Sequence, residues 1–560
     1  MAGGNCTTTD YFTLVDIHAG GQLDSHAIEA GLLLATATST TIPADKRKSG
    51  METLLNRFVY TDLDRRSARA TSLALALLKT LGRQIDDSDE LGSEKAIDGL
   101  LKLALDMMHQ AVGGDINEQS NFAVSSCNEA LTCVANTMLL LPKCKPLFAE
   151  SCNGANVVSR ILQSRLVELA TTTFLCGRCL FLSLVSPSSA ALCVNSLDLP
   201  ATLTRAIRIC LDRDRSSSTT GGQFSPQQVM SELLKAAMSL CVQFRQSVCA
   251  AATSPINSGK DDLLPPEHAA KLADILQVSL DTLYMLPLVS DHLADPAKQA
   301  IAISLNFPTL SPEAVLRCWL PVDQIESDAD GDSKRFHFVD RIFYLLATLV
   351  TIAADEEANV YSKYEMEIAP LALVLVRLIT EHADVRQRIF PQVFPPDSAQ
   401  DHTVLPEDRP GLSAKLVRLM RIPQGGILPG AVGDLLFALL GQNVSKFVLA
   451  VGYGNAAGYM LARGIEMPEE ILRQVSDASG SELLVDPVTG RQVSQKDLDQ
   501  QLSDMTDEEK EREAERLFVL FERLNKTGFI KVGNPVRAAA ESGRLQEIES
   551  SDEEASGSSK

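Results

Sequence analysis

Between about residue 50 and residue 465 the chain repeats one pattern, apolar side chains at i, i+3, i+4 and i+7, and offers little else. It is carried by "RSARATSLALALLKTLGRQ" (66–84), "EKAIDGLLKLALDMMHQAV" (94–112) and "NEALTCVANTMLLL" (128–141). It continues through "SELLKAAMSLCVQF" (231–244), "AAKLADILQVSLDTLYML" (269–286) and "FVDRIFYLLATLVTIAA" (338–354), then "LALVLVRLITEHADVRQRIF" (371–390) and "LSAKLVRLM" (412–420). Alternating β-branched runs separated by turns do not recur, so the spacing predicts an all-α fold. Breaks such as "SPSS", "SPINSGKDDLLPPE" and "RIPQGGILPG" group the helices in twos and threes, about every 40 to 50 residues. No crisp repeat is visible. One chain of helix pairs at that period nonetheless points to a solenoid of the armadillo or HEAT kind. A single bundle is the alternative, and one core stops growing beyond about 250–300 residues.

Composition agrees. Aromatics are 5% of 560 residues while Leu and Ala dominate, as in packed helices. The net charge of −21 argues against nucleic acid, which needs clustered Lys and Arg. From Glu466 to Lys560 there are 22 acidic and 12 basic residues, so about half the excess lies in the last sixth of the chain. That segment is a solvated acidic surface or a surface for a basic partner. The start "MAGGNCTTTDYFT" lacks a basic n-region and an apolar core, and no apolar run reaches the roughly 18 residues of a membrane span. Twelve cysteines without framework spacing complete the expectation of a cytoplasmic protein with reduced thiols.

The organisation expected is a solenoid over 1–465, a linker or extended arm over 466–505, a helical segment over 506–546 and a disordered acidic tail over 547–560. The third piece rests on "TDEEKEREAERLFVLFERL", where Thr506 and Glu509 form a capping box and Leu517, Leu520, Phe521 and Leu524 share a face.

Several stretches imitate sites. Gly452-Tyr-Gly454-Asn-Ala-Ala457 has the spacing of a dinucleotide-binding turn, but the segment before it is helical and no further strand follows. The reading preferred is a tight helix junction: "FVLAV" ends a buried helix, small residues at 454, 456, 457 and 458 admit the next one, and the Tyr453 ring fills the gap. Cys176-Gly-Arg-Cys179 lacks a second metal-binding pair and is read as two small hydrophobes inside a helix. "DADGDS" (328–333) misses the calcium-loop residues at its sixth and twelfth positions, Ser333 and Val339, and is read as a solvated loop. Eight single histidines and no nucleophile-elbow motif give no handle for covalent catalysis, so no metal and no cofactor is expected. Lys79 and Arg83, four apart on one predicted helix, are a solvated edge or a seat for a carboxylate. Asn136 and Arg178, polar within apolar runs, are satisfied core groups or groove residues that fix a peptide.

"KLVRLM", "GDLLFALLGQNVSKFVLAVGYGNAAGYMLARG", "DPVTG" and "MTDEEKEREAERLFVLFERL", in that order, resemble the C-terminal third of the synembryn family. These are exchange factors and folding chaperones for the α subunits of heterotrimeric G proteins (Gα). "LLKTLGRQ" and "EALTCVAN" are similar to its early repeats. The resemblance implies an armadillo-like solenoid whose inner face takes the C-terminal helix of Gα. An arm and later helices then touch the nucleotide-binding domain, and GDP is released without covalent chemistry. Carried onto this chain, it assigns the Gα C-terminus to Lys79, Arg83 and Asn136, and less directly Arg178. It implicates Asp486, Pro487, Leu517 and Phe521 in the arm and C-terminal helix. It also implies a monomer that meets the membrane only peripherally, through Gα. Lys79 stands where the family more often has Arg, which weakens a bidentate contact. The acidic, phosphorylatable run of animal members is thinned here, leaving Ser479, Ser550 and Ser551 as candidate phosphorylation sites. A helical-repeat scaffold that binds peptides without driving exchange is the other reading.

Overall fold

The computed structural model describes residues 44–61, 68–84, 89–113, 118–216, 223–251, 266–307, 313–321, 329–355, 361–395, 405–421 and 426–466, with 484–485, 492–493, 506 and 512. The chain divides into two compact units, Met1–Ile342 and Phe343–Lys560.

Helices build the first unit. After α1 (Ala44–Leu54) come α2 (Ala68–Leu81), α3 (Glu94–Val112), α4 (Glu118–Leu140), α5 (Gly154–Gln163) and α6 (Ala170–Ser183). Then follow α7 (Pro187–Asn195), α8 (Leu199–Arg215), α9 (Pro226–Ala251), α10 (Pro266–Met285), α11 (Asp295–Asn306) and α12 (Glu313–Trp319). The ends obey local chemistry. Ser93 caps α3 by accepting the Ala96 amide, and Ser186 caps α7 ahead of a proline at the first helical position.

The packing sorts these helices into two layers. In one layer α2 packs on α4, α4 on α6, α6 on α9 and α9 on α11; in the other α3 packs on α5, α5 on α8 and α8 on α10. Between the layers α3 meets α4, α5 meets α6, and α10 meets α11. From α4 to α11 the helices of the two layers each bury one face against the predecessor in the layer and another against the opposite layer, which is the nearest-neighbour logic of a solenoid. Thiols mark the step. Cys133, Cys144, Cys152, Cys179 and Cys318 donate to the carbonyls of Leu75, Gly92, Glu94, Leu131 and Ala273, partners 45 to 58 residues back in the chain. The fold is an all-α helical solenoid, with two-residue β-ladders at 288–293 and 484–493 as its small exceptions.

The second unit begins within α13 (Ala329–Asp355) and continues with α14 (Tyr361–Glu381), α15 (Ala383–Val393), α16 (Leu412–Met420), α17 (Ile427–Leu439), α18 (Val444–Val451) and α19 (Tyr453–Arg463). Its centre is α17, packed by α14 and α16. Glu365 on α14 accepts the Ile427 and Leu428 amides, so a side chain 62 residues before Ile427 caps α17.

Four expectations change. The helix read over 371–390 is two, because His382 leaves helical geometry at φ −126° between α14 and α15. "DADGDS" is no loop: from Ala329 it forms the start of α13, whose backbone is already committed to helix bonds. Lys334–Ala354 is, by length and composition, apolar enough to cross a membrane, although Asp340 and Arg341 interrupt it and more than half of it is buried, as in a core helix. Finally, the junction before α19 is tight in a different place. Gly452 makes the turn at φ 84°, ψ 152°, but Gly454 and Gly458 face open space. The close approach is at Gly433, against the ring of Tyr459 rather than Tyr453.

Candidate functional site

Along the layer α2–α4–α6–α9 of the first unit runs a groove of about 450 Å³ lined by Lys79, Arg83, Glu129, Asn136, Leu139 and Leu175. The α4 side is set by helical period. Asn128, Thr132, Asn136 and Leu139 fall on one face, while Ala130, Leu131, Val134 and Met138 on the others are buried. The sequence reading picked Asn136 and missed Asn128, Glu129 and Thr132, although the four-residue step back from Asn136 passes through Thr132 and Asn128.

Lys79 and Arg83 both reach this groove, but from different backbone. Helix α2 ends at Leu81, and Gly82 has no room for a side chain against Leu91. Arg83 thus sits in the turn beyond, correcting the placement of both cations on one helix. Their electrostatics differ too. The Lys79 ammonium donates to Glu129 Oε1 at 2.9 Å and lies 2.7 Å from Oε2, with both side chains more than three-quarters buried. Arg83 is exposed and makes no ion pair among the described residues. The Asn136 amide, half-buried, has no hydrogen-bond partner among them either, whereas Asn128 already accepts from the Thr172 hydroxyl at 2.8 Å. Among the described residues, one cation and one amide without partners therefore stand beside the apolar Leu139 and Leu175.

A partition closes that end. Phe224, just ahead of α9, stacks on Phe174 with centroids 3.8 Å apart and planes 7° apart, and the Arg178 guanidinium lies 5.2 Å from the Phe174 ring. Past it a second depression of about 650 Å³ extends to α9 and the start of α11. Arg178 lines it but is engaged: Nε and Nη2 donate to the two Glu232 oxygens at 2.9 and 3.1 Å. Lys235 adds a contact to Oε1 at 2.9 Å, and the Glu232 side chain is 5% exposed. Arg178 thus belongs to a fork-to-fork pair between successive helices of the layer.

Cys176 and Cys179 sit on the buried part of α6, as read. Burial holds both thiols protonated, Cys176 well above its ordinary range and Cys179 pushed up to about 12. Asp486, Pro487, Leu517, Phe521, Ser479, Ser550 and Ser551 lie outside the described residues.

A stack of helix pairs with a cationic, part-apolar groove along one layer defines a helical-repeat protein. More narrowly, the chain belongs to the family described as guanine nucleotide exchange factor synembryn, whose model matches residues 74–544. It is 34% identical over 209 residues to "Chaperone Ric-8A" of Pongo abelii, covering 36% of this chain and 38% of that protein. To "Chaperone ric-8" of Caenorhabditis elegans it is 23% identical over 311 residues, 50% and 52% of the two chains. To a synembryn-like chaperone of Schizosaccharomyces pombe it is 27% identical over 202 residues, 34% and 37%. The matched segments span about a third to a half of those relatives.

Proposed function

We propose that this protein is a guanine nucleotide exchange factor and folding chaperone for Gα subunits, and that the groove on the α2–α4–α6–α9 layer takes the Gα C-terminus. One observation carries the reading: the Arg83 guanidinium and the Asn136 amide, neither with an ion-pair or hydrogen-bond partner among the described residues, face the same groove beside Leu139 and Leu175. A guanidinium and an amide donor are what a terminal carboxylate and its last peptide group require. Gα then responds by population shift. A factor that binds the nucleotide-free, opened state better than the GDP-bound one favours it by that difference in affinity, and moving a 1:99 equilibrium to 99:1 takes about 10⁴-fold. The chain makes and breaks no covalent bond in this scheme. It acts as a monomer in the cytoplasm and reaches the membrane through Gα.

A second contact, from the segment after Gly464, separates exchange from mere capture. The scaffold reading draws on the groove's being built wholly from the first unit, which needs no arm. GDP release from purified Gα, timed with and without the full chain, decides. Faster release should fall about tenfold or more in Arg83→Ala, the scale of a lost bond to a charged group. It should also be lost on truncation after Gly464, where α19 closes on its own C-cap. Binding with unchanged release would leave the scaffold, and neither would end the proposal.

A further inference from the structure

Among the described residues the charged groups lining the groove are Lys79, Arg83 and Glu129, a formal total of +1. Their arrangement is not that of two cations waiting for an anion. Glu129 accepts from the Lys79 ammonium through Oε1 at 2.9 Å, its Oε2 lies 2.7 Å from the same nitrogen without a hydrogen bond of its own among the described residues, and the pair is more than three-quarters buried. Of these two cations, Arg83 is the one without an ion-pair partner among the described residues.

We propose that Glu129 is a specificity-determining residue: by claiming Lys79 it tunes the groove to a segment bearing a single terminal carboxylate and excludes one with a second acid beside it. The inference rests on the carboxylate-binding role of the groove proposed above. A second carboxylate entering beside Arg83 has two choices. It sits without a countercharge, or it draws Lys79 away and leaves Glu129 a bare, largely buried anion a few ångströms from the ligand. Lys79 in turn is a positioning residue that keeps Glu129 neutralised. Its removal harms binding chiefly by exposing the ligand to Glu129, since truncating one partner of a buried pair penalises the charge left behind.

The test uses the full chain and fluorescence anisotropy with three labelled peptides. These are the last dozen or so residues of a Gα subunit, the same peptide as a C-terminal amide, and the same peptide with Asp at the penultimate position. Wild-type protein binds the free acid about tenfold more tightly than the amide or the Asp peptide. Glu129→Gln brings the Asp peptide to within about threefold of the parent. Lys79→Met weakens the parent about tenfold, and Lys79→Met/Glu129→Gln recovers most of that loss. Melting curves confirm that each variant is folded; should Lys79→Met unfold, the peptide ratio in Glu129→Gln decides alone. If the single and double variants bind equally poorly, Lys79 touches the ligand itself and the inference is overturned. An unchanged ratio in Glu129→Gln overturns it too. If wild-type protein binds the acid and the amide alike, the carboxylate reading fails first and takes this inference with it.

Discussion

Replacing Arg178 with alanine is expected to destabilise the first unit by about 3 kcal/mol, the scale of stripping one partner from a buried ion pair. Glu232 is the reason. Its side chain is 5% exposed, between α6 and α9, and two guanidinium bonds and one ammonium bond neutralise it. After the substitution Lys235 remains, three residues away on the same helix and itself about one-third exposed. A single partly hydrated ammonium replaces a bidentate fork, so the carboxylate keeps most of its desolvation cost and loses the larger part of its compensation. The Phe174 ring also loses the cation beside it, worth a further fraction of a kcal/mol. The signature that identifies this cause is rescue. Arg178→Met/Glu232→Met, apolar on both sides, should return to within about 1 kcal/mol of wild type, because a buried pair replaced by packed hydrocarbon is often neutral. Urea midpoints measured on the three proteins would show it. Equal destabilisation in the single and double variants would mean that Arg178 holds the layer by packing rather than by charge. The distinction matters for function. Loss of partner binding in Arg178→Ala would otherwise be taken for a lost ligand contact, when the damage lies in the joint between α6 and α9.

Much of the architecture was written in hydrophobic period. The run 94–112 coincides with α3 and 412–420 with α16, since a capping serine ahead of one and glycine ahead of the other bracket an unbroken 3.6-residue stripe. Where the stripe continued through a break, reading it failed. Apolar residues on either side of His382 stay close to one periodicity, so 371–390 looked like one helix, and only the backbone at His382 separates two. "DADGDS" was misjudged because acids and glycine suggest a loop, whereas acids are also what a helix start favours. The end of α2 was legible. Gly82 after "LLKTL" is a C-terminal stop signal, and heeding it would have put Arg83 beyond the helix. Pairings were not legible. Lys79 meets Glu129 50 residues on and Arg178 meets Glu232 54 residues on. That separation is one turn of the repeat. Spacing alone would not have resolved them, since Arg83 lies 46 residues and Lys79 50 residues before the same Glu129, both close to one repeat.

The glycines at 452, 454 and 458 should part company when substituted. Gly452 holds φ 84°, ψ 152°, a region that costs a side-chain-bearing residue about 1–3 kcal/mol, so Gly452→Ala should lose about 2 kcal/mol and the β-branched Gly452→Val about 3. The cost cannot be relieved by letting the turn relax, because the turn aims α19. Gly452 donates to Val448 O at 2.9 Å to finish α18 and accepts from the Ala456 amide at 3.0 Å to begin α19. Asn455 then ties back to Val451 O at 2.8 Å. With that direction fixed, Tyr459 lies over Gly433, its hydroxyl donates to Asp434 at 2.8 Å, and its ring meets Phe437 and Phe447 at 5.8 and 5.1 Å. A change in φ at 452 swings these contacts apart together. Gly454 and Gly458 have ordinary helical backbone within α19 and open space where a Cβ would go. Alanine at either should be neutral or stabilising by about 0.5–1 kcal/mol, the helix preference of Ala over Gly. Thermal unfolding of the three alanine variants would read this directly, a loss at 452 against no loss or a gain at 454 and 458. A phosphate-cradling turn makes the opposite demand, since its second glycine, here Gly454, must let the backbone close on a ligand. Damage at Gly454 comparable to that at Gly452 would therefore sink the reading of this motif as a helix junction, while the predicted split leaves Gly452 as the one glycine of the motif whose backbone no other residue adopts cheaply.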